Sequence, residues 1–111
     1  MDFTRDEILM EYKGYITNLP SGLKKIIDNI ENEKIEIINK QLSLFVEGMQ
    51  WMLSASKYLE SQEINTNQNL EVLNEHLETL LEGMKKQDYI LLSDIIEYEL
   101  IPYFENLAVK N

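Results

Sequence analysis

The segment from residue 33 to residue 61 carries two apolar stripes, both with the spacing of an α-helix. The first, which we name the inner stripe, comprises Ile35, Ile38, Leu42, Phe45, Met49, Met52, Ser56 and Leu59. Residues that recur by threes and fours in this way line the core of a helical bundle. We therefore predict one long helix over residues 33–61 with its inner stripe in the core.

A second stripe runs beside the inner stripe on a neighbouring face of the same helix. It comprises Ile37, Gln41, Leu44, Gly48, Trp51, Ala55 and Tyr58. A surface helix of a small domain needs a single apolar stripe, so two stripes predict burial on two sides. This helix is then either central within the chain or packed against a second chain, and the small residues Gly48 and Ala55 would let another backbone approach.

The N-terminal segment begins with the signature of a helix start. Thr4 is followed three residues later by Glu7, as in a capping box, and Phe3 and Ile8 occupy the positions of a hydrophobic staple. We expect a helix from about residue 4. Its apolar face comprises Ile8, Leu9, Tyr12, Tyr15, Ile16 and Leu19.

Pro20 interrupts this first helical pattern. A proline inside a helix removes one hydrogen bond and crowds the preceding turn, at a cost of about 3 kcal/mol. The sequence therefore predicts a break or kink near residue 19 and a second helical piece over residues 20–31.

The second half of the chain predicts a long loop and two more helices. Residues 61–69 are polar and rich in asparagine, so we place the longest loop there and expect Thr66 or Asn67 to cap the next helix. That helix ends near Lys86. Asp88 is expected to cap a last helix that runs to about Val109 and is kinked or irregular near Pro102.

The two halves of the chain have similar apolar patterns. Ile16 aligns with Leu70, 54 residues further on, and Ile30 aligns with Met84 at the same offset. Each half therefore resembles a helical hairpin, with a tight turn near residues 31–34 in the first half and near residues 85–88 in the second. Any two amphipathic hairpins of similar length align in this way, so duplication remains one of two interpretations. The expected fold is all-α: a single domain over residues 1–111, an antiparallel bundle of four to five helices built from two helical hairpins.

Composition and charge limit the function classes. The 111 residues include no cysteine, which excludes disulfides, thiolate nucleophiles and sulfur-ligated metal sites. Twenty acidic and ten basic residues give a formal net charge of −10, which repels nucleic-acid phosphates and anionic lipid surfaces. No apolar run is long enough to span a bilayer and no signal peptide is visible, so we expect a cytoplasmic protein that binds neither nucleic acid nor membrane.

Candidate catalytic chemistry is sparse. His76 is the sole histidine, and the di-iron bundle motif requires a Glu three residues before it, where this chain has Leu73. We interpret His76 as a half-buried or exposed structural residue. Asp94, Glu97 and Glu99 alternate with apolar residues, so at least one of these carboxylates is expected to meet the core, in a structural role. We expect no catalytic residue, no metal site and no cofactor, and hence no enzyme.

The second stripe supplies the candidate binding residues. Leu44, Gly48, Trp51, Ala55 and Tyr58 are predicted to form an interface with a protein partner or with a second copy of the chain, as a homodimer. The alternative is that the segment before Pro20 covers this stripe within one chain.

Two functional hypotheses follow from these residues. The first is a non-enzymatic interaction module, an adaptor or chaperone-like protein that binds a partner helix or its own copy. The second is a small regulatory or ligand-sensing bundle with an apolar pocket, lined by Trp51, Met52, Tyr98 and Tyr103.

The C-terminal quarter of the chain carries a family resemblance. The stretch from Leu80 to Leu107 includes Gly83, Lys85, Asp88, Tyr89, Leu92, Asp94, Ile96, Glu97, Tyr98, Glu99, Leu100 and Pro102. It resembles segments of small uncharacterised helical proteins of Gram-positive bacteria, which implies no activity. In size, charge and helix content the whole chain also resembles flagellar and secretion export chaperones, which wrap an amphipathic helix of a partner.

Overall fold

The computed structural model describes residues 3–111, with side chains from Thr4 onward, and every regular element in that range is helical. Helix α1 spans Phe3–Glu31, α2 spans Ile35–Ser61, α3 spans Leu70–Lys86 and α4 spans Tyr89–Ile95. A π-helical turn over Ile96–Leu100 joins α4 to α5, which spans Ile101–Lys110. The predicted all-α bundle is confirmed.

The helices pack as a bundle about 49 Å long and 22 Å across. Helix α1 packs against α2 on one side and against the π turn and α5 on the other, and α3 packs against α4 and, more lightly, against α2. Because α1 contacts both halves of the chain, the core is one cluster. No helix in the described part of the chain is long and apolar enough to cross a membrane.

The long helix agrees with the predicted segment, and the turn before it lies where the repeat placed it. Helix α1 ends at Glu31, and Glu33 takes a left-handed conformation with φ of 56° in the connection to α2. Every member of the inner stripe of α2 is buried except Ile35, which lies at the first turn. The inner stripe is therefore a core face, as its spacing predicts.

The predicted break near residue 19 is wrong, since α1 continues through Pro20 to Glu31. Pro20 is buried and lies beside Glu105, Ala108 and Val109 of the last helix. The missing hydrogen bond at Pro20 costs about 3 kcal/mol, and packing against α5 offsets that cost. Thr4 already lies inside α1, so it does not cap the helix in the manner of a capping box, and the side chain of Phe3 lies outside the described residues.

The irregularity near Pro102 is confirmed and takes the form of the π turn. The Ile101 N–H donates to the Ile96 carbonyl, five residues back, instead of four. Proline at position 102 has no N–H to donate and its ring crowds the carbonyl of Tyr98, and a wider turn relieves that crowding.

The π turn changes which residues face the core. In an uninterrupted α-helix, Glu99 and Tyr103 would lie within about 20° of the buried Leu92 around the axis, whereas Leu100 and Phe104 would lie about 80° and 120° away from it. The extra residue of the π turn instead brings Leu100 and Phe104 into the core, and both are fully or almost fully buried. The carboxylates of Asp94, Glu97 and Glu99 are all exposed. The expectation that at least one of these carboxylates meets the core is therefore wrong.

Polar side chains cap the N-termini of α3 and α4, and one of the two is the residue that we predicted. The Leu91 N–H donates to Asp88 Oδ1 at 3.0 Å, which confirms Asp88 as the cap of α4. The cap of α3 is Asn69, whose Oδ1 accepts from the Val72 N–H at 3.2 Å, and not Thr66 or Asn67.

Candidate interaction site

The second stripe of α2 is divided between the core and the surface. Ala55 is 6 % exposed and belongs to the core, while Gly48 and Tyr58 are half-buried. Leu44 is 57 % exposed and Trp51 is 38 % exposed. Helix α1 thus covers only the edge of the stripe that lies next to the core.

The absence of a side chain at Gly48 leaves room for the Tyr15 side chain of α1. A Cβ atom built at Gly48 would collide with the Tyr15 hydroxyl of α1 and lie 2.8 Å from Tyr15 Cζ. The Tyr15 ring also packs edge-on against Trp51, with ring centroids 5.8 Å apart and an interplanar angle of 75°. The space beside Gly48, where we predicted that another backbone could approach, is therefore filled by the Tyr15 side chain of the same chain.

Three large apolar side chains of the stripe remain exposed, and we call Ile37, Leu44 and Trp51 the open stripe. Ile37 is 48 % exposed, so each member presents between one third and three fifths of its surface to solvent. Successive members are seven residues apart, which is two helical turns or about 10.5 Å along the axis. The open stripe therefore has the repeat of a coiled-coil seam.

A groove between α1 and α2 borders the open stripe. Its volume is about 270 Å³, and its apolar lining comprises Tyr15, Leu19, Leu23, Ile26, Leu44 and Phe45. Gly22 also lines the groove, and nothing lies within 4 Å of a Cβ atom placed on it. Lys25 and Gln41 supply polar groups, and the Asn29 side chain donates to Gln41 Oε1 at 2.9 Å, which fixes α1 against α2 at this end.

The charged residues of α2 nearest the open stripe are Lys40 and Glu47. Both are exposed; Lys40 lies four residues before Leu44 and Glu47 lies three residues after it. Residues three and four positions apart lie on the same side of a helix. The open stripe is thus flanked by one positive and one negative side chain.

A buried polar cluster, which sequence reasoning missed, fastens the α2–α3 loop. The hydroxyls of Ser56 and Thr66 are 2.8 Å apart and fully buried. Thr66 donates both its hydroxyl and its backbone N–H to Glu60 Oε1, at 2.8 and 3.0 Å. The Tyr103 hydroxyl donates to Gln68 Oε1 and accepts from the Asn69 N–H. The sequence signal is Ser56, the one hydroxyl in the inner stripe.

Tyr12 lies beside this polar cluster and is fully buried. Its hydroxyl is near the side chains of Gln68, Thr66 and Ser56 but has no hydrogen bond in place. Burial raises the pKa of Tyr12 above its ordinary value of 10.0, and burial also raises the pKa values of Tyr15 and Tyr103. These phenols are therefore protonated near neutral pH.

His76 lies on α3 beside the π turn and is half-buried, one of the two environments predicted for it. Its Nδ1 atom lies 3.5 Å from Glu99 Oε2, and its ring meets that of Tyr103 edge-on at 6.3 Å. His76 and Glu99, together with Tyr98 and Asp94, border an open cleft of about 460 Å³. Within residues 3–111, no group of three or more His, Asp or Glu side chains is placed to hold a metal ion.

The four residues of the alternative ligand pocket do not meet. Trp51 packs on Tyr15 of α1, whereas Tyr103 packs on His76 and Phe104. Met52 is fully buried and Tyr98 is 70 % exposed. The predicted pocket lined by Trp51, Met52, Tyr98 and Tyr103 is therefore wrong.

Comparison with known proteins identifies a family without assigning an activity. No match is found among curated proteins or among solved structures. A domain of unknown function matches residues 7–110, so the similarity covers far more than the stretch from Leu80 to Leu107. The expected likeness to an uncharacterised family is confirmed in this form: the chain belongs to the family described as Domain of unknown function (DUF8042).

Proposed function

We propose that this protein is a non-enzymatic interaction module that uses the open stripe to bind an α-helix of another polypeptide chain. The observation that carries the proposal is the exposure of Ile37, Leu44 and Trp51 on a seven-residue repeat beside an apolar groove. An amphipathic helix presents apolar side chains at the same repeat, so the two seams can interdigitate over the two heptads from Ile37 to Trp51.

The shape of the groove supports a side chain of a partner helix as its occupant. Its volume of about 270 Å³ is below the range of about 300–1,000 Å³ typical of small-molecule pockets. Leu44 forms one wall, and on α1 the absence of a side chain at Gly22 leaves the groove open. An apolar residue of a docked helix would fill this space and bury Leu44.

The chemistry of the groove supports a binding role over a catalytic one. Most of its lining is hydrocarbon, and its hydroxyl belongs to Tyr15, whose pKa is raised by burial. A phenol that stays protonated at neutral pH is a poor general base.

The net charge of −10 favours a protein partner over a nucleic acid, because phosphate backbones are repelled. We further propose a cytoplasmic setting, which suits a chain without cysteine that folds by packing alone.

The test compares two exposed positions of α2. Leu44→Glu places a carboxylate in the open stripe. Gln50→Glu places the same group six residues further on, about 240° around the helix, and serves as the matched control. Both positions are exposed, so both variants should retain the helical circular dichroism of the parent.

Binding is measured in two ways: self-association by light scattering, and anisotropy of a labelled amphipathic helix of about 21 residues with leucine at heptad spacing. We expect at least one of the two interactions in the parent and in Gln50→Glu, and a loss of more than about tenfold in affinity in Leu44→Glu. If the parent shows neither interaction up to about 1 mM, or if Leu44→Glu binds as the parent does, the proposal is wrong.

A further inference from the structure

We infer that the helix bound by the open stripe is α2 of a second copy of this chain, lying antiparallel. This inference rests on the proposed function, since it names the partner of the same surface. It is drawn from the order of apolar and charged residues along the exposed side of α2.

The open stripe is symmetric about Leu44. Ile37 lies seven residues before Leu44 and Trp51 lies seven residues after it. When two copies of α2 run antiparallel and cross at Leu44, each Ile37 meets the Trp51 of the other copy and the two Leu44 side chains meet at the two-fold axis. Such a contact uses the same patch twice, as an isologous dimer requires.

The flanking charges complement one another in the antiparallel arrangement alone. Lys40 lies four residues before Leu44 and Glu47 lies three residues after it, so reversal of the second helix brings Lys40 of each copy near Glu47 of the other. Lys40 and Glu47 lie on the same flank of the open stripe, and in a parallel two-fold dimer these flanks of the two copies would lie on opposite sides of the seam, where the charges do not meet. Opposite charges beside an apolar seam select orientation in paired helices.

The distribution of apolar surface also favours a second copy lying on α2. The exposed apolar residues of this face belong to α2, whereas the exposed residues that α1 contributes to the groove are Gly22 and Lys25. A partner that lies along α2 therefore buries the whole open stripe. Charge opposes this association at long range, because two copies bring together twice the net charge of −10. At physiological ionic strength the screening length is about 8 Å, so contacts across the seam outweigh distant repulsion.

The experiment is a charge swap that exploits the two-fold symmetry. Lys40→Glu places two like-charged contacts in the antiparallel dimer, and so does Glu47→Lys. Mixing the two variants forms a heterodimer in which both contacts again join opposite charges. Lys57→Glu, at an exposed position on the far side of α2, controls for the change in net charge.

Dissociation constants are measured by light scattering and sedimentation at about 0.15 M salt. Trp51, the one tryptophan of the chain, reports burial of the seam through its fluorescence. We expect the parent and Lys57→Glu to dimerise with similar affinity, each charge variant alone to dimerise about tenfold more weakly, and the mixture to regain the affinity of the parent.

Several results would overturn the inference. A parent that stays monomeric up to about 1 mM rules out the second copy. If that monomeric parent binds the leucine-heptad peptide and Leu44→Glu does not, the proposed function still stands. A dimer whose affinity is unchanged by the charge variants, or is not restored in their mixture, rules out antiparallel pairing. A dimer that is insensitive to Leu44→Glu refutes the proposed function as well.

Discussion

Gly48 and Tyr15 offer a test of how α1 packs on the second stripe of α2. A methyl group at position 48 would collide with the Tyr15 hydroxyl and lie 2.8 Å from Cζ of the same ring. By contrast, Gly14 and Gly22 of α1 have nothing within 4 Å of an added Cβ atom. The same substitution, Gly→Ala, should therefore have opposite effects on the free energy of unfolding at these sites.

The magnitudes follow from two opposing terms. Alanine is better than glycine inside a helix by about 1 kcal/mol, so Gly14→Ala and Gly22→Ala should each stabilise the protein by about 0.5–1 kcal/mol. At Gly48 this gain is opposed by overpacking, which costs about 1–3 kcal/mol. Displacement of Tyr15 also breaks its edge-on contact with Trp51, worth about 0.5–1.5 kcal/mol. Gly48→Ala should therefore destabilise the protein by about 2 kcal/mol.

The assay is urea unfolding followed by far-ultraviolet circular dichroism, because Tyr15 substitutions would disturb the fluorescence of Trp51. In a Tyr15→Ala background the collision is absent, and Gly48→Ala should then stabilise by about 1 kcal/mol, like Gly14→Ala. The double-mutant cycle should thus give a coupling energy of about 3 kcal/mol between the two positions. If Gly48→Ala stabilises the parent protein and the coupling is zero, α1 does not pack on α2 as described.

Three further predictions concern stability. Because burial raises the pKa of Tyr12 above 10.0, the unfolded chain loses this proton first, and stability should fall above pH 10 by up to about 1.4 kcal/mol per pH unit. Urea titrations at several pH values should show a smaller slope in Tyr12→Phe than in the parent, and an equal slope would contradict this account. Thr66→Val should lower the free energy of unfolding by about 1–3 kcal/mol, because it removes the hydroxyl that donates a hydrogen bond to Glu60, whereas Thr66→Ser should retain most of the stability. Equal losses in the two variants would show that this hydrogen bond does not stabilise the loop. Asp88→Ala should cost about 1 kcal/mol and Asp88→Asn much less, measured as shifts in the urea midpoint at constant slope.

Sequence patterns predicted the position of α2 and the cap of α4, because both depend on residues that are close together in the chain. The 3.6-residue period of the inner stripe located α2, and Asp88 capped α4 because a carboxylate at that position can accept the Leu91 N–H without help from elsewhere. The cap of α3 could not be predicted in the same way. Thr66 has the right chemistry for a cap, but its hydroxyl is bonded to Ser56 and Glu60, and that competition exists only in the folded chain.

The two prolines show the same limit. Local chemistry gives the free-energy cost of Pro20 inside a helix correctly. The prediction of a break was wrong because packing of Pro20 beside α5, which the local sequence does not show, offsets that cost. Near Pro102 the irregularity was predictable but its form was not. A π turn adds one residue to the helical repeat, and that single residue decides whether Glu99 or Leu100 faces the core.

The second stripe is where sequence reasoning reached its limit on function, and the reason is geometric. Periodicity places Leu44, Trp51 and Ala55 on one face of α2, but it does not say how far a neighbouring helix reaches across that face. The structure buries Ala55, lays the Tyr15 ring on Gly48, and leaves Leu44 and Trp51 exposed. The boundary between core and surface therefore runs along the stripe itself. A stripe that α1 covered completely would leave nothing on α2 for a partner, and one that α1 left bare would carry no constraint on where a partner lies. Because α1 covers the stripe only in part, α1 is held beside α2 while three apolar side chains at seven-residue spacing stay exposed. In the antiparallel pairing that we infer, the charges of Lys40 and Glu47 beside these side chains set the direction of the partner helix.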